Sequence, residues 1–319
     1  MLITKVGGGT GMSAGGSRKS VAAALVEAWP WIVVVLLGLV LAGCAGVTRP
    51  AEAVKAAVAE SKPLVIPLEV YRTRLRSVKA TVAGQMGTFL LDTGGGVTVI
   101  TPGFAKRIGC EPWGSLSGFT MMAVRLDVQR CNETAFEIAG RTFRAPTVGV
   151  FDYMSMFPKD AEPLDGAIGL DVFAGQAVTL EVAGNRFTVE TPESLAARTA
   201  TMREVPAMLQ REMHGVALSV FAQVPTPKGP AWFEMDSGNG GTLLMARHIA
   251  PLFGLNPKQD RPPQPAKFEL AGSVPVAGDF FVPDMIIDGN LGMPFLSKQV
   301  MTMDLVRGRL WFGPAAPAP

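Results

Sequence analysis

Histidine, cysteine and tyrosine are scarce in this chain of 319 residues, which has two histidines, three cysteines and two tyrosines. The histidines, His214 and His248, are far apart in sequence, and no two cysteines form a Cys-x-x-Cys pair. Structural zinc sites are built from clusters of cysteine and histidine. The sequence therefore argues against a zinc site.

Charge is also low, because charged residues make up 18% of the chain and the formal net charge is +2. Proteins that bind nucleic acid normally carry a basic patch, so this composition argues against nucleic acid as a partner. The glycine-rich residues 7–11 lack the lysine of a phosphate-binding loop. No feature of the sequence therefore predicts a nucleotide site.

The longest apolar run, residues 31–42, is short for a membrane-spanning helix, which needs about 20 apolar residues. Its length is typical of the apolar region of a signal peptide. We therefore predict a signal peptide over residues 1–43. An uncleaved membrane anchor is the alternative interpretation.

Residues 41–44 (Leu-Ala-Gly-Cys) resemble the cleavage box of bacterial lipoproteins. The resemblance implies cleavage before Cys44 and a lipid on its sulfur, which would attach the protein to a membrane. Ala45 follows the cysteine where an aspartate would favour the inner membrane. The expected location is therefore the bacterial cell envelope, on the periplasmic face of the outer membrane.

Hydrophobic residues make up 48% of the chain, which is enough for the cores of two domains. One pattern occurs twice: an apolar strand ends in an aspartate and a glycine-rich turn. Residues 89–91 lead into Asp-Thr-Gly at 92–94, and residues 232–235 lead into Asp-Ser-Gly at 236–238. A single aspartate that closes a strand at a turn is common, but two copies are harder to dismiss.

A second element is repeated downstream of each turn. Residues 165–173 and 288–296 both read Asp-Gly-x-apolar-Gly-apolar-x-x-apolar. Each is followed by two alternating strands around a turn, at residues 178–182 with 186–189 and at 301–305 with 309–312. Because the order is the same both times, the chain contains an internal duplication.

These motifs resemble the aspartic proteases, in particular the retropepsin-like branch, over residues 64–190 and 214–313. The resemblance implies an all-β fold with short helices, in which two β-barrel lobes with retropepsin-like repeats are related by a pseudo-twofold axis. It also implies catalytic aspartates at Asp92 and Asp236. The remaining active-site-turn residues that it implies are Thr93, Gly94, Ser237 and Gly238.

The family mechanism implied for Asp92 and Asp236 is hydrolysis of a peptide bond by an activated water. Two carboxylates about 3 Å apart share one proton, so one partner acts as base and the other as acid. This chemistry needs no metal or cofactor. The expected partner is a peptide or protein substrate, and a monomer suffices because both repeats lie on one chain.

The chain departs from the family at several positions. Gly95 and Asn239 stand where family members usually have alanine, serine or threonine, and neither candidate flap contains a tyrosine. Two other hypotheses therefore remain open. The first is a lipid-anchored binding protein that keeps the fold without proteolysis. The second is an unrelated β-rich envelope lipoprotein whose aspartates only close turns.

The segment between the first turn and Asp165 contains Cys110 and Cys131, the two thiols that remain once Cys44 carries lipid. An even pair in an oxidising compartment predicts a disulfide, and two separate buried thiols are the alternative. In the family this part of each repeat carries a hairpin flap. Residues 114–122 are the candidate flap tip, and the residues proposed to face substrate are Trp113, Phe119, Met121 and Met122. The alternative is that these apolar side chains fill the core.

The remaining segments complete the domain plan. Residues 101–109 and 246–254 read as short helices after each turn, and His248 reads as a surface residue rather than a catalyst. The expected boundaries are residues 1–43 (signal peptide), 44–63 (tether), 64–190 (first lobe), 191–213 (linker helix), 214–313 (second lobe) and 314–319 (disordered tail).

Overall fold

Short β-strands are the main secondary structure of the described chain, which is residues 62–315 of a computed structural model. The strands of the first repeat are β1 Leu64–Pro67, β2 Glu69–Tyr71, β3 Leu75–Val82, β4 Gln85–Leu91, β5 Val99–Ile100, β6 Trp113–Phe119, β7 Arg125–Cys131, β8 Thr134–Ile138, β9 Arg141–Ala145, β10 Val148–Val150, β11 Gly166–Ile168, β12 Ala177–Glu181 and β13 Arg186–Glu190. Those that follow are β14 Arg203–Gln210, β15 Ser219–Thr226, β16 Gly229–Met235, β17 Leu243–Met245, β18 Gln264–Leu270, β19 Val274–Phe281, β20 Gly289–Leu291, β21 Gln299–Asp304 and β22 Arg309–Pro314.

Helices are few and short in this part of the chain. The α-helices are α1 Pro102–Arg107, α2 Pro192–Thr199 and α3 Met293–Leu296. Turns of 3₁₀-helix occupy Tyr153–Met156, Leu170–Phe173, Met213–Gly215 and Ala250–Phe253. None of the helices within residues 62–315 is long and apolar enough to cross a membrane. Cys44, the predicted signal peptide and nearly all of the predicted tether lie outside the described residues, as do residues 316–319.

The strands form two sheets. One has the order β6-β7-β10-β5-β11-β4-β3-β8-β9, with β2 paired to β3, and belongs wholly to the first repeat. The other has the order β1-β13-β12-β21-β22-β14-β15-β16-β20-β17-β19-β18 and draws on both repeats. The fold is therefore the all-β, two-lobed aspartic-protease-like fold that the resemblance implied.

A shared six-stranded layer joins the lobes and shows their symmetry. Its order, β1-β13-β12-β21-β22-β14, places equivalent hairpins on either side of the antiparallel β12–β21 pair. Thr179 lies opposite Thr302 at the middle of that pair, and their hydroxyls are 2.9 Å apart. The pseudo-twofold axis passes through this point. The sequence does not predict this layer, because each hairpin was recognisable only as a local pair.

Each lobe has its own aromatic core. Phe89 packs edge-on against Phe104 and Phe136 in the first lobe, with ring centroids 5.2 and 5.9 Å away. Phe233 and Phe280 both pack against Phe268 in the second, at 5.3 and 5.5 Å. A fully buried phenylalanine contributes about 2–3 kcal/mol. These clusters hold β4 and β16, the strands that lead into the two aspartates.

The helices α1 and α2 begin at side-chain caps. The Thr101 hydroxyl accepts a hydrogen bond from the Phe104 N–H at the start of α1, as expected of a threonine N-cap. Thr191 and Ser194 form a reciprocal capping box at the start of α2. The second-repeat segment predicted as a helix is shorter: it contains only the 3₁₀ turn Ala250–Phe253, which ends at Gly254 with φ of 76°.

The structure joins Cys110 and Cys131 by a disulfide, with a Cα–Cα distance of 6.1 Å. This bond links the chain just after α1 to the end of the β6–β7 hairpin. The hairpin tip is residues 120–124, where the Thr120 N–H donates to the Val124 carbonyl and Ala123 has φ of 61°. Residues 114–119 therefore belong to a strand, and the predicted tip was placed too early.

Candidate active site

Asp92 and Asp236 occupy equivalent places at the ends of β4 and β16. Each strand pairs in parallel with the repeated Asp-Gly-x-apolar segment, β4 with β11 and β16 with β20. The Asp92 N–H donates to the Ile168 carbonyl at 3.0 Å, and the Asp236 N–H donates to the Leu291 carbonyl at 3.2 Å. The two duplicated motifs thus position the backbone of the two aspartates in the same way.

Thr93 and Ser237 tie the two turns to each other across the lobe boundary. The Thr93 N–H donates to the Ser237 hydroxyl at 3.0 Å, and the Ser237 N–H donates to the Thr93 hydroxyl at 3.0 Å. Each hydroxyl then donates to the opposite strand, Thr93 to the Met235 carbonyl at 2.6 Å and Ser237 to the Leu91 carbonyl at 2.7 Å. Both side chains are buried, so these bonds fix the relative position of the aspartates.

Gly94 and Gly238 bring the two carboxyl groups face to face. The Gly94 N–H donates to Asp92 Oδ1 at 3.1 Å, and the Gly238 N–H donates to Asp236 Oδ1 at 2.8 Å. A Cβ on Gly94 would lie 2.5 Å from Asp236 Cγ, and a Cβ on Gly238 would lie 2.5 Å from Asp92 Cγ. The carboxyl groups are close enough to hydrogen-bond to each other. Only glycine leaves room for this approach.

The two aspartates differ in their hydrogen-bond donors. Besides the Gly94 N–H, Asp92 accepts a hydrogen bond from the Tyr153 hydroxyl at 3.2 Å. Besides the Gly238 N–H, Asp236 accepts from the Asn239 N–H at 3.1 Å and from the Asn290 amide at 2.8 Å. Donors favour the charged form of a carboxyl. Asp236 is therefore better stabilised as the anion.

Burial and, after it, the neighbouring charge of Asp236 raise the pKa of Asp92 to about 7. Burial also raises the pKa of Asp236, but the Asn290 amide and the Gly238 N–H oppose this effect. The pair titrates as one unit. When the pair holds one proton, that proton therefore lies on Asp92 and Asp236 is ionised.

Two residues that the sequence did not single out lie beside the pair. Tyr153 comes from the 3₁₀ turn Tyr153–Met156, not from a flap, and its side chain is buried. Burial, followed by the charge of Asp92, raises its pKa well above the usual value, so its hydroxyl remains a donor. Glu234 precedes Asp236 on β16 and is 7% exposed. The only sequence signal for Glu234 was a charge within an apolar strand.

A cavity of about 450 Å³ opens above the carboxyl groups. Phe119 and Met121 line it from the β6–β7 hairpin, whereas Trp113 and Met122 do not. Trp113 lies at the hairpin base, where the Arg130 guanidinium stacks 4.2 Å from its ring and its indole N–H donates to Asn132. The prediction that Trp113 and Met122 face substrate was therefore wrong.

The hairpin tip reaches the opposite lobe. The Ile286 N–H donates to the Met121 carbonyl at 3.0 Å, so the tip bridges the cavity as a flap does. Phe119 and Ile286 line the cavity, yet they are 60% and 57% exposed. The cavity therefore has an apolar, accessible rim of the kind that binds apolar side chains.

His248 lies away from this cavity. Its Nε2 is 2.9 Å from Asp288 Oδ1, and its side chain is 52% exposed. The first repeat has Arg107 in the same relation to Asp165, at 2.9 Å. Within residues 62–315, no cluster of three or more histidine, cysteine, aspartate or glutamate side chains is arranged to hold a metal ion.

Comparisons with known proteins agree with this geometry. Residues 78–172 match the family model described as aspartyl protease, which covers less than a third of the chain and includes Asp92 and the β11 segment. The resemblance to aspartic proteases is thus confirmed, and the matched stretch belongs to the first repeat. No curated protein matches the chain.

Two solved structures are similar in fold. The crystal structure of Basic 7S globulin from soybean matches with a TM-score of 0.52 and 10% sequence identity. The match covers 80% of the present chain and 95% of the globulin chain. Conglutin gamma, a unique basic 7S globulin from lupine seeds, has a TM-score of 0.50 and 12% identity, with the same coverage. At such identities the likeness establishes the fold alone, and neither name describes a protease.

Proposed function

We propose that this protein is an aspartic endopeptidase in which Asp92 and Asp236 activate a water for peptide-bond hydrolysis. The observation that carries the proposal is the pair of facing carboxyl groups, held by the reciprocal Thr93–Ser237 bonds and by the Gly94 and Gly238 amides. Two aspartates that only closed their own turns would not need to be buried with their carboxyl groups facing each other. The aspartyl protease match over residues 78–172 supports the same reading.

Because Asp236 accepts more hydrogen bonds than Asp92, we assign the base to Asp236 and the acid to Asp92. Ionised Asp236 takes a proton from the water as its oxygen attacks the substrate carbonyl carbon. Protonated Asp92 gives its proton to the carbonyl oxygen, which produces a neutral diol. When the carbon–nitrogen bond breaks, Asp236 returns a proton to the leaving amine, and Asp92 recovers one from a diol hydroxyl. Both residues end in their starting states.

The cavity suggests the form of the substrate. Its apolar rim, which includes Phe119 and Ile286, suits apolar side chains on either side of the cleaved bond. A flap that crosses the cavity from one lobe to the other favours an extended peptide that runs beneath it. We therefore propose peptide or protein segments with apolar residues at the cleavage point as substrates.

We also propose that the protein acts in the bacterial cell envelope, attached to the membrane through lipidated Cys44 as a monomer. The Leu-Ala-Gly-Cys sequence at residues 41–44 supports the anchor. The Cys110–Cys131 disulfide supports the compartment, because such bonds persist in oxidising surroundings. Mass spectrometry of the membrane-extracted protein tests this. A mature N-terminus at an unmodified Cys44, or an intact leader, contradicts it.

The catalytic proposal is tested with full-length protein extracted in mild detergent and incubated with a peptide library between pH 3 and 7. We expect internal cleavage by the parent and none by folded Asp92→Asn or Asp236→Asn variants. Asp279→Asn, at an exposed carboxylate on β19, is the matched control and should cleave as the parent does. The proposal fails if either active-site variant still cleaves. A parent that binds peptides without cleaving them would favour the binding protein.

A further inference from the structure

One position of the duplication differs in kind between the lobes. In the first lobe Leu90 on β4 lies opposite Ala167 on β11, and both are buried and apolar. In the second lobe the same position holds Glu234 on β16 opposite Asn290 on β20. Asn290 is fully buried and Glu234 is 7% exposed. A polar pair thus replaces an apolar one directly beneath Asp236.

The Asn290 amide connects Glu234 to Asp236. Its Nδ2 donates to Glu234 Oε2 at 3.0 Å and to Asp236 Oδ2 at 2.8 Å. Its Oδ1 accepts a hydrogen bond from Asn239 Nδ2 at 2.8 Å. Both ends of the amide are therefore fixed. If it were reversed, its oxygen would face two carboxyl groups and the bond to Asp236 would be lost.

We propose that Glu234 is a positioning residue that, through the Asn290 amide, holds Asp236 as the ionised member of the aspartate pair. The inference rests on the proposed function and deepens it. It places the general base on the second lobe and the proton donor on the first. If the two lobes were equivalent, neither aspartate would be preferred as the base.

The groups around Asp236 support this assignment. The titratable groups that face it are Asp92, Glu234 and, at greater distance, Tyr153. Burial, followed by the charge of Asp236, raises the pKa of Glu234 well above the usual range. Burial therefore favours the neutral form of Glu234. This form accepts the Asn290 hydrogen bond without placing a second negative charge next to Asp236.

Because Glu234 acts as a hydrogen-bond acceptor rather than as a charge, two substitutions should differ in their effect on Asp236. Glu234→Gln keeps an oxygen that accepts from Asn290, so the amide stays aimed at Asp236. The double variant Glu234→Leu with Asn290→Ala installs the apolar pair of the first lobe. It removes the Asn290 donor, which stabilises the Asp236 anion. The pH at which Asp236 ionises should therefore rise in the double variant and stay close to the parent value in Glu234→Gln.

Carboxyl ¹³C NMR of full-length protein labelled at aspartate Cγ measures this without any substrate. Spectra of Asp92→Asn and Asp236→Asn assign the two signals. In the parent we expect the Asp236 signal to titrate at lower pH than that of Asp92. In the double variant its midpoint should rise by about one pH unit, a tenfold change in the ionised fraction. Asn290→Ala alone replaces the double variant if circular dichroism shows that the latter does not fold.

Asp171→Asn is the matched control, since it alters a buried carboxyl of the first lobe that bonds to Thr98 and does not contact the pair. It should leave the Asp236 titration in place. Glu234→Leu alone leaves the Asn290 donor in place, and a merely structural role for Glu234 predicts a lower melting temperature in this variant with the Asp236 midpoint unmoved. That result overturns the proposal, and so does a shift in Glu234→Gln as large as in the double variant.

Activity provides the second readout. If the parent cleaves peptides, the acid limb of its kcat/KM profile should move to higher pH in the double variant, because the base is then protonated more easily. If the parent cleaves nothing, the proposed function fails. The NMR titration still decides whether Glu234 and Asn290 set the charge of Asp236.

Discussion

At the scale of single residues, the site depends on two glycines as much as on two aspartates. Gly94 and Gly238 each lie where a side chain would collide with the carboxyl group of the opposite lobe. The same two residues supply the N–H donors that orient the carboxyl groups. Loss of either glycine therefore separates the pair without removing a charge.

Gly238→Ala is expected to lower kcat/KM by at least about 100-fold, because its Cβ would lie 2.5 Å from Asp92 Cγ and would displace the carboxyl group. Gly241→Ala is the matched control in the same turn. The nearest atom to its added Cβ is Arg74 Nη1 at 3.8 Å, an ordinary contact. Steady-state kinetics of both variants at equal folded fraction test this. Equal losses would contradict the steric account.

Tyr153→Phe tests the donor on Asp92. The Tyr153 hydroxyl favours the ionised form of Asp92 and so lowers its pKa, against the larger effect of burial. Its removal raises that pKa, so the basic limb of the pH–rate profile, where the pair loses its proton, should move to higher pH. Tyr71→Phe is the control, since the Tyr71 hydroxyl bonds to the Glu162 carbonyl instead. A limb that stays in place in Tyr153→Phe contradicts the role.

The residues found from the sequence and those missed differ in a physical way. Asp92 and Asp236 were predictable because the whole motif is local: an apolar strand, a carboxylate and a glycine turn within a few residues. Tyr153 is 61 residues from Asp92 in sequence, and its contact exists only in the folded chain. Glu234 is local to Asp236, but its role needs Asn290, which lies opposite it on another strand.

At the scale of elements, the flap is an exposed hairpin that is held at both ends. The β6–β7 hairpin carries exposed side chains along most of its length. It is held at its base by the Cys110–Cys131 disulfide and at its tip by the Ile286–Met121 backbone bond. The sequence predicted the hairpin, but its tip was misplaced, because the turn depends on the positive φ of Ala123, a residue that favours no turn.

The double variant Cys110→Ser with Cys131→Ser is expected to lose roughly 3 kcal/mol of stability, since the disulfide closes a loop of 21 residues. At 2–4 °C per kcal/mol this lowers the melting temperature by about 6–12 °C. Calorimetry of parent and variant measures the difference. Reductant should bring the parent to the value of the variant and leave the variant unchanged. Equal melting temperatures without reductant would count against a contribution from the disulfide.

At the scale of the whole molecule, the duplication organises the fold but not the chemistry. The shared layer around Thr179 and Thr302 and the reciprocal Thr93–Ser237 bonds follow the pseudo-twofold axis. The surroundings of Asp92 and Asp236 do not. Periodic motifs made the duplication visible in the sequence. The pairing of β12 with β21 was not visible. Each is the free outer strand of its own hairpin and could pair with many other strands until the cores of both lobes are formed.

Buried carboxyl groups also give the whole molecule a dependence on pH. Asp171 accepts hydrogen bonds from the Thr98 N–H at 3.0 Å and the Thr98 hydroxyl at 2.7 Å, and burial raises its pKa from 3.8 to about 6. The folded state therefore binds this proton more tightly than the unfolded chain. The resulting stability is fully present below pH 4 and is lost as pH rises through 6. Its size is on the order of 3 kcal/mol.

Asp171→Asn removes this titration, so the melting temperature of the variant relative to the parent should rise between pH 4 and pH 7, by about 6–12 °C for a loss of that size. Burial also raises the pKa of Asp92 and of Glu234. The stability of the variant therefore still falls with rising pH, but less steeply than that of the parent. Asp279→Asn, at an exposed position on β19, should follow the parent at every pH. Calorimetry across this range decides the matter. If Asp171→Asn and the parent change in parallel, Asp171 does not titrate in the folded protein as its burial requires.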